Sequence, residues 1–181
     1  MDTDIRQGRL WVLLDAAGRI IEDIDTDQIF HNAHLAISDI AQMGPLAFGN
    51  LEGWTDFPGK CAPGDIIVAG RNFGAGSSRQ QAVDCFIALK VGAILAPSYS
   101  AIYFRNAVNS GLPVLKILDL DRLLAQRKLA SGDVVRFDVR TGKGGNLTRP
   151  AVFALDPMGG VQYDIFRAGD LFKYGKPAGT K

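Results

Sequence analysis

Apolar positions along this chain come in short blocks separated by turn residues. Arg9-Leu10-Trp11-Val12-Leu13-Leu14 reads as a strand closed by the turn Asp15-Ala16-Ala17-Gly18, and Ile20-Ile21 begins a second short strand. From Asp23 to Leu35 polar and apolar residues mix without a clean period, which predicts an ordered loop with a short helix. Ser38 to Gly64 holds glycines, prolines and aromatics, again without a strong period. A loop that long inside a compact domain is often functional. The pattern then sharpens. Asp65-Ile66-Ile67-Val68-Ala69 is an apolar strand, a glycine-rich loop follows, and a helix runs from about Ser78 to Val91. Gly92-Ala93-Ile94-Leu95-Ala96 is a buried strand ended by Pro97. Ser98 or Ser100 caps a helix to about Ser110, with Gly111 at the usual stop position. Pro113-Val114-Leu115-Lys116-Ile117 is a third core strand. Strand–helix–strand–helix–strand order predicts an α/β fold with a parallel or mixed sheet.

Beyond residue 118 the period changes again. Asp119 to Ala130 carries Leu120, Leu123, Leu124 and Leu129 at helical spacing, an amphipathic surface helix. Val134 to Val139 alternates as a half-buried strand. Thr141-Gly142-Lys143-Gly144-Gly145-Asn146 reads as a hairpin turn into a strand from Pro150 to Ala154. That run lacks the Lys-Ser/Thr pair of a phosphate loop, and no helix follows it. A last helix around Val161–Ala168 precedes a charged tail. No internal repeat is visible.

Length and composition narrow the class. The 181 residues fit one domain at roughly 150 residues each, and 47% hydrophobic with 22% charged residues is ordinary for a globular protein. A net charge of +1 gives no general pull toward nucleic acid or an anionic membrane. The apolar runs are too short to span a bilayer, and Met1-Asp2-Thr3-Asp4 does not open a signal peptide, so a cytoplasmic location is expected. Cys61 lies in a Pro/Gly-rich loop and Cys85 in an apolar helix, where it reads as core packing. With His31 and His34 far upstream they form no zinc motif, and two thiolates do not hold an iron–sulfur cluster, which normally takes three or four. No metal site is expected in this chain.

The chemistry concentrates in Gly70-Arg71-Asn72-Phe73-Gly74-Ala75-Gly76-Ser77-Ser78-Arg79-Gln80-Gln81-Ala82. Glycines let the backbone N–H groups approach a bound anion, and two hydroxyls and a guanidinium arrive where a helix is expected to begin. Strand, glycine loop and helix N-terminus together suit a carboxylate or phosphate. A flexible connector is the competing reading, but connectors are usually polar on both sides.

Three blocks of this sequence resemble the swivelling domain of the aconitase-type hydro-lyases. They are Asp25-Thr26-Asp27-Gln28-Ile29, the loop Asn72 to Arg79, and Ala96-Pro97-Ser98-Tyr99-Ser100-Ala101-Ile102-Tyr103-Phe104-Arg105-Asn106 continued by Asn109-Ser110-Gly111-Leu112-Pro113-Val114. They stand in the family's order and cover most of residues 23–117. A free-standing chain of this size is similar to the small subunits of the family's two-chain branch, the isopropylmalate dehydratases and homoaconitases. The resemblance implies a β/β/α layered fold with a mixed, partly parallel sheet. It implies one swivelling domain over 1–181, its core motifs in 23–117 and a helix–strand–helix extension over 118–181.

It also implies a division of labour. In the family a large subunit carries a 4Fe–4S cluster on three cysteines, whose open iron acts as a Lewis acid on the hydroxyl that departs. The swivelling domain closes over it and supplies the base and part of the carboxylate pocket. The partners implied are therefore that large three-cysteine subunit and a small dicarboxylate substrate. Carried over residue by residue, Ser77 is the base as an alkoxide, stabilised by the loop's N–H groups, the helix N-terminus and Arg79. Ser78 caps the helix or donates to a substrate carboxylate, Arg79 grips a carboxylate bidentately, and Gly74 and Gly76 shape the cradle. Asp27 belongs to the catalytic network or caps a short helix; Asp25 is structural. Many relatives have Glu-His where Gln80-Gln81 stands and Cys where Ala75 stands, so a charge beside the site is missing here.

A short segment after the Asp-Thr-Asp bend reads the substituent that differs between substrates in the family. Here it is His34-Leu35-Ala36-Ile37, without the arginine of relatives acting on tricarboxylic acids. An apolar wall suits an isopropyl group and leaves an extra carboxylate unpaired. This favours isopropylmalate over homoaconitate or citrate; dimethylmalate would look the same. His34 contacts a carboxylate or, more commonly for a lone histidine, simply packs. A reading of another class is a non-enzymatic anion-binding module for a phosphorylated ligand or dinucleotide. The loop lacks both the Gly-x-Gly-x-x-Gly pattern and a Lys-Ser/Thr clamp, which speaks against it.

Overall fold

Side chains that alternate between the two faces of the strands build one curled sheet with two cores. The computed structural model describes residues 4–176. Its strands are β1 (Ile5–Val12), β2 (Ile66–Val68), β3 (Ala93–Ala96), β4 (Val114–Lys116), β5 (Val134–Asp138), β6 (Lys143–Asn146) and β7 (Ala151–Ala154), in the order β4-β3-β2-β1-β5-β6-β7. β1 to β4 run parallel to one another, whereas β5 pairs antiparallel to β1 and leads into β6 and β7. The two sheet edges then meet, with Leu118 N donating to Ala154 O and Asp156 N to Lys116 O, both at 2.9 Å. The mixed, partly parallel sheet agrees with the expected fold class.

Residues at period two divide between the faces. Leu10, Val12, Ile66, Val68, Leu95, Val135 and Phe137 fill the inside of the curl. Leu13, Ile67, Ile94, Phe73, Phe86 and Tyr103 form the second core, on the face covered by helices α4 (Gln81–Ala88) and α5 (Ala101–Asn109). Parallel strands buried on both faces read as continuous apolar runs, as β2 and β3 do. The remaining helices are α1 (Thr26–Ile29), α2 (Ile40–Met43), α3 (Phe57–Lys60), α6 (Leu120–Ala125), α7 (Gly160–Ala168) and α8 (Leu171–Tyr174).

Several elements depart from expectation for identifiable reasons. β1 starts at Ile5 rather than Arg9, because the polar residues Arg6 and Gln7 pair with β5, a partner over a hundred residues away. Residues 38–64 are not a bare loop: α2, a 3₁₀ turn at Gly44–Leu46 and α3 carry Met43, Phe48, Leu51 and Phe57 into the core. The helix expected over 119–130 stops at Ala125; Arg127 takes φ 52°, and Leu129 returns to the core beyond it. The supposed hairpin turn 141–146 is mostly strand β6. A Cβ on Gly144 would meet the Phe153 ring at 2.3 Å, so the aromatic packs directly over the bare backbone. Of the N-terminus Met1-Asp2-Thr3-Asp4 only Asp4 is described, and of the charged tail nothing past Lys176. No helix among the described residues is long and apolar enough to cross a membrane.

Candidate active site

The C-terminal ends of β1, β2 and β3 lead into the three sequence blocks singled out above, and the blocks meet. Gly74 N and Ala75 N both donate to Ile24 O (2.8 and 3.1 Å), and Thr26 N donates to Ala75 O at 2.9 Å. On the other side Asn72 N reaches Ser98 Oγ at 2.9 Å, Phe73 N reaches Ser98 O at 3.1 Å, and Ser100 N reaches Phe73 O at 3.0 Å. Gly74 is at φ 78°, and a Cβ there would sit 2.1 Å from the Tyr103 ring. Only glycine satisfies both the turn and that approach. Tyr103 is itself buried and donates its hydroxyl to Ala82 O at 3.2 Å, locking α5 to α4.

These bonds revise the expected anion cradle. The N–H groups of Asn72 through Ala75 are engaged within the protein, whereas among the described residues those of Gly76 through Ser78 show no such bond. The helix also begins later than expected. α4 starts at Gln81, and Gln80 occupies its N-cap without a side-chain bond, so neither Ser77 nor Ser78 caps it. Gly76 at φ 87° turns the chain away from helical geometry, and the serines stay on an exposed crest ahead of the helix. Ser77 is tied down through its carbonyl, which accepts from Thr26 Oγ1 at 3.0 Å. Ser78 Oγ lies 3.5 Å from Asn106 Nδ2 of α5.

Asp25, not Asp27, caps the short helix. Its carboxylate accepts from Asp27 N and Gln28 N, both at 2.8 Å, while Gln28 Oε1 accepts from Asp25 N at 3.0 Å, a reciprocal capping box. Asp27 is thereby released to face the loop. Arg79 Nη1 donates to its Oδ1 at 2.6 Å, Asn32 N to the same oxygen at 3.0 Å, and Asn50 Nδ2 to Oδ2 at 3.1 Å. The Arg79 bond, chiefly, holds the Asp27 carboxyl below its ordinary range, with Asn32 N and the charge of His31 adding to it. Arg79 Nη1 also reaches Phe30 O at 3.2 Å, so both bonds it makes among the described residues leave from one nitrogen.

The segment His34–Ile37 lies beside this pair. A 3₁₀ turn over Asn32–His34 presents it, and the His34 ring packs edge-on against Phe30, centroids 6.2 Å apart. Leu35 and Ala36 are exposed, and Leu35 O accepts from Gln81 Nε2 at 3.3 Å. Gln80 points elsewhere, donating to Asp84 Oδ1 and Ser110 Oγ, both at 2.8 Å. Cavities of about 540 Å³ beneath α6 and about 730 Å³ beside Leu51 include neither Ser77 nor Arg79; the crest is an open surface.

The residues do not fit an iron–sulfur cluster. Cys85 is fully buried in the second core and Cys61 half-buried, burial pushing the Cys61 thiol up to about 12 and Cys85 higher still. No group of three His, Cys, Asp or Glu among the described residues could hold a metal ion. Sequence reasoning missed Asn50, which sits in the aperiodic stretch with no local signal, and Thr26, whose hydroxyl role no spacing reveals.

Known proteins resemble the chain along nearly its whole length. Residues 55–119 match the model of the aconitase C-terminal domain. The chain is 34% identical to the 3-isopropylmalate dehydratase small subunit of Thermodesulfovibrio yellowstonii, over 94% of this chain and 93% of that one. It is 39% identical to that of Pyrobaculum aerophilum, over 84% and 90%. The crystal structure of a 3-isopropylmalate dehydratase from Methanocaldococcus jannaschii superposes with a TM-score of 0.79 at 29% identity, covering 94% of this chain and 92% of the other. With identity at this level over most of both chains, the chain belongs to the family of 3-isopropylmalate dehydratase small subunits.

Proposed function

We propose that this chain is the small half of a two-chain hydro-lyase that interconverts 2-isopropylmalate and 3-isopropylmalate by loss and re-addition of water, a step of leucine biosynthesis. A large partner carries the iron–sulfur cluster and supplies its Lewis acidity; no residue of this chain is assigned to it. The observation that carries the reading is the Asp27–Arg79 pair. Among the described residues Arg79 is held through Nη1, by Asp27 and the Phe30 carbonyl, which leaves the Nε–Nη2 edge of the guanidinium for a substrate carboxylate. Ser77, exposed on the crest, is the group that removes the proton beside that carboxylate. A serine is a poor base, so its anion needs support, which the N–H groups from Gly76 to Arg79 would give. Ser78 orients the carboxylate, and His34–Ile37 faces the isopropyl group.

The test is reconstitution. The chain, co-expressed with a large three-cysteine subunit and loaded anaerobically, should turn over isopropylmalate in preference to homoaconitate and dimethylmalate. Alone it should be folded, colourless and inactive. Visible iron–sulfur absorbance or turnover by the isolated chain would overturn the two-chain reading, and a preference for another substrate would overturn the assignment of isopropylmalate.

A further inference from the structure

Asn50 stands on a turn whose flanks are sunk in the second core. Phe48 and Leu51 are buried, Phe48 N donates to Ile29 O at 2.8 Å, and Leu51 N to Phe48 O at 3.0 Å. The Phe48 ring packs on Phe57 and Phe86, at 5.2 and 5.1 Å between centroids. Phe48 itself is at φ 56°, a left-handed conformation that a bulky residue keeps only where its surroundings over-determine it. Burial of the ring over-determines it here. The consequence falls two residues later, where an exposed amide is aimed at Asp27 Oδ2, 3.1 Å away.

We infer that Asn50 is a positioning residue for the reaction proposed above, fixing Asp27 and through it the Arg79 edge that receives the substrate carboxylate. The inference rests on that proposed function. Asp27 takes donors from three separate places: Arg79 at the start of α4, the backbone of Asn32, and Asn50. The first two share Oδ1, so Asn50 is the described side chain that stops the carboxylate from turning about its own Cβ–Cγ bond. The charged and titratable groups facing Asp27 are Arg79 and His31. A neutral donor adds a hydrogen bond there without competing with the Arg79 cation. The aperiodic stretch 38–64 thus contributes to the site by holding the groups that would touch substrate.

Two variants test this in the reconstituted complex. Asn50→Ala should raise KM for isopropylmalate about fivefold with kcat changed less, the scale of one lost hydrogen bond. Asn50→Asp should lower kcat/KM about tenfold further at pH 8, because two carboxylates then face each other. It should recover as pH falls, when one takes a proton and donates to the other, a rise the wild type lacks. Asn50 is exposed, so neither variant should move the unfolding midpoint by more than about 3 °C. Titrating the Asp27 carboxyl by ¹³C NMR in the isolated chain supplies a reading that needs no turnover; Asn50→Asp should move it upward. Wild-type constants and pH profile in both variants of an active complex, or an unmoved Asp27 titration, would overturn the positioning role alone. A wild-type complex without turnover would overturn the functional reading beneath it.

Discussion

Two aspartate–arginine pairs in this molecule are built in opposite ways. Asp133, at the entry to β5, is buried, and Arg149 lies across it with its own side chain 41% exposed. Arg149 Nη2 donates to Asp133 Oδ1 at 2.8 Å, while Nε sits 2.7 Å from Oδ2 without the alignment of a hydrogen bond. Asn146 Nδ2 and Ala130 N complete the shell around the carboxylate at 2.7 and 3.0 Å. At the glycine loop the burial is inverted: Arg79 is the deeper partner, 16% exposed, and Asp27 the more open one at 32%. Among the described residues, Nη1 is the Arg79 nitrogen that is engaged there. A guanidinium laid edge-on over a buried carboxylate closes a structure. One gripped by a single nitrogen keeps an edge for a second anion. The antiparallel half of the sheet thus reads as scaffold, and the C-terminal rim of the parallel half as machinery.

Mutation should separate the two regions, most sharply at Ser77. Ser77→Ala should lower kcat by about 10²–10⁴-fold, the range for a general base, while urea unfolding and binding of the large subunit stay unchanged. Near-normal turnover would remove Ser77 from that role. The pairs themselves should then cross over. Asp133→Asn should cost about 3 kcal/mol of stability, toward the low end for a broken buried pair because Arg149 is partly solvated, and leave kcat/KM of the folded protein alone. Asp27→Asn should do the reverse, costing less than about 1 kcal/mol and lowering kcat/KM by about 10²-fold through a displaced Arg79. Equal stability losses for the two would collapse the distinction.

Acid should act on both pairs. Both carboxyls titrate below their ordinary value of 3.8. For Asp133 burial is the largest single influence and opposes ionisation, but the bonds from Arg149, Asn146 and Ala130 together outweigh it. For Asp27 the Arg79 bond leads. A depressed folded-state pKa contributes stability that is present above the unfolded value and lost as pH falls through the folded one. Wild-type stability should therefore decline below about pH 3.8. Asp133→Asn and Asp27→Asn should each flatten that slope, as urea titrations at stepped pH would show; an unchanged slope in either variant would mean that its carboxyl is not held below its ordinary value in the folded protein.

The parallel half was the more legible in sequence for a physical reason. Strands buried on both faces, such as Ile66–Val68 and Ala93–Ala96, show as continuous apolar runs, and glycine loops at their ends are short-range signals. Ile5–Gly8 owes its strand to β5, a partner far along the chain, and Gly144 of β6 lies under the Phe153 ring of β7; neither cause shows in the residues of the segment itself. The same holds in the site. The Asp-Thr-Asp bend and Ser-Ser-Arg run stand out as residue types. The capping box of Asp25 and Gln28, which leaves Asp27 free of the cap, is a local pattern, but the arrival of Arg79 and Asn50 at Asp27 depends on how the chain returns.

The smallest expected effect concerns substrate choice at the machinery end. Leu35 and Ala36 are exposed and follow directly on the turn that presents Asn32 to Asp27, with Leu35 O tied to Gln81 at the head of α4. A larger side chain there would extend from an exposed position without disturbing the core. Ala36→Arg should therefore fold normally, weaken turnover of an isopropyl substrate, and favour one with a carboxylate at that position, which would gain a paired charge. A shift of about tenfold in the ratio of kcat/KM values is the scale of one such contact. Leu35→Arg belongs in the same experiment, because adjacent residues of this turn point in different directions. The equivalent change at Val152, on the exposed edge of the scaffold half, should leave the ratio untouched. If neither arginine moves the ratio, the segment does not read the substituent, and the preference for isopropylmalate loses its main support.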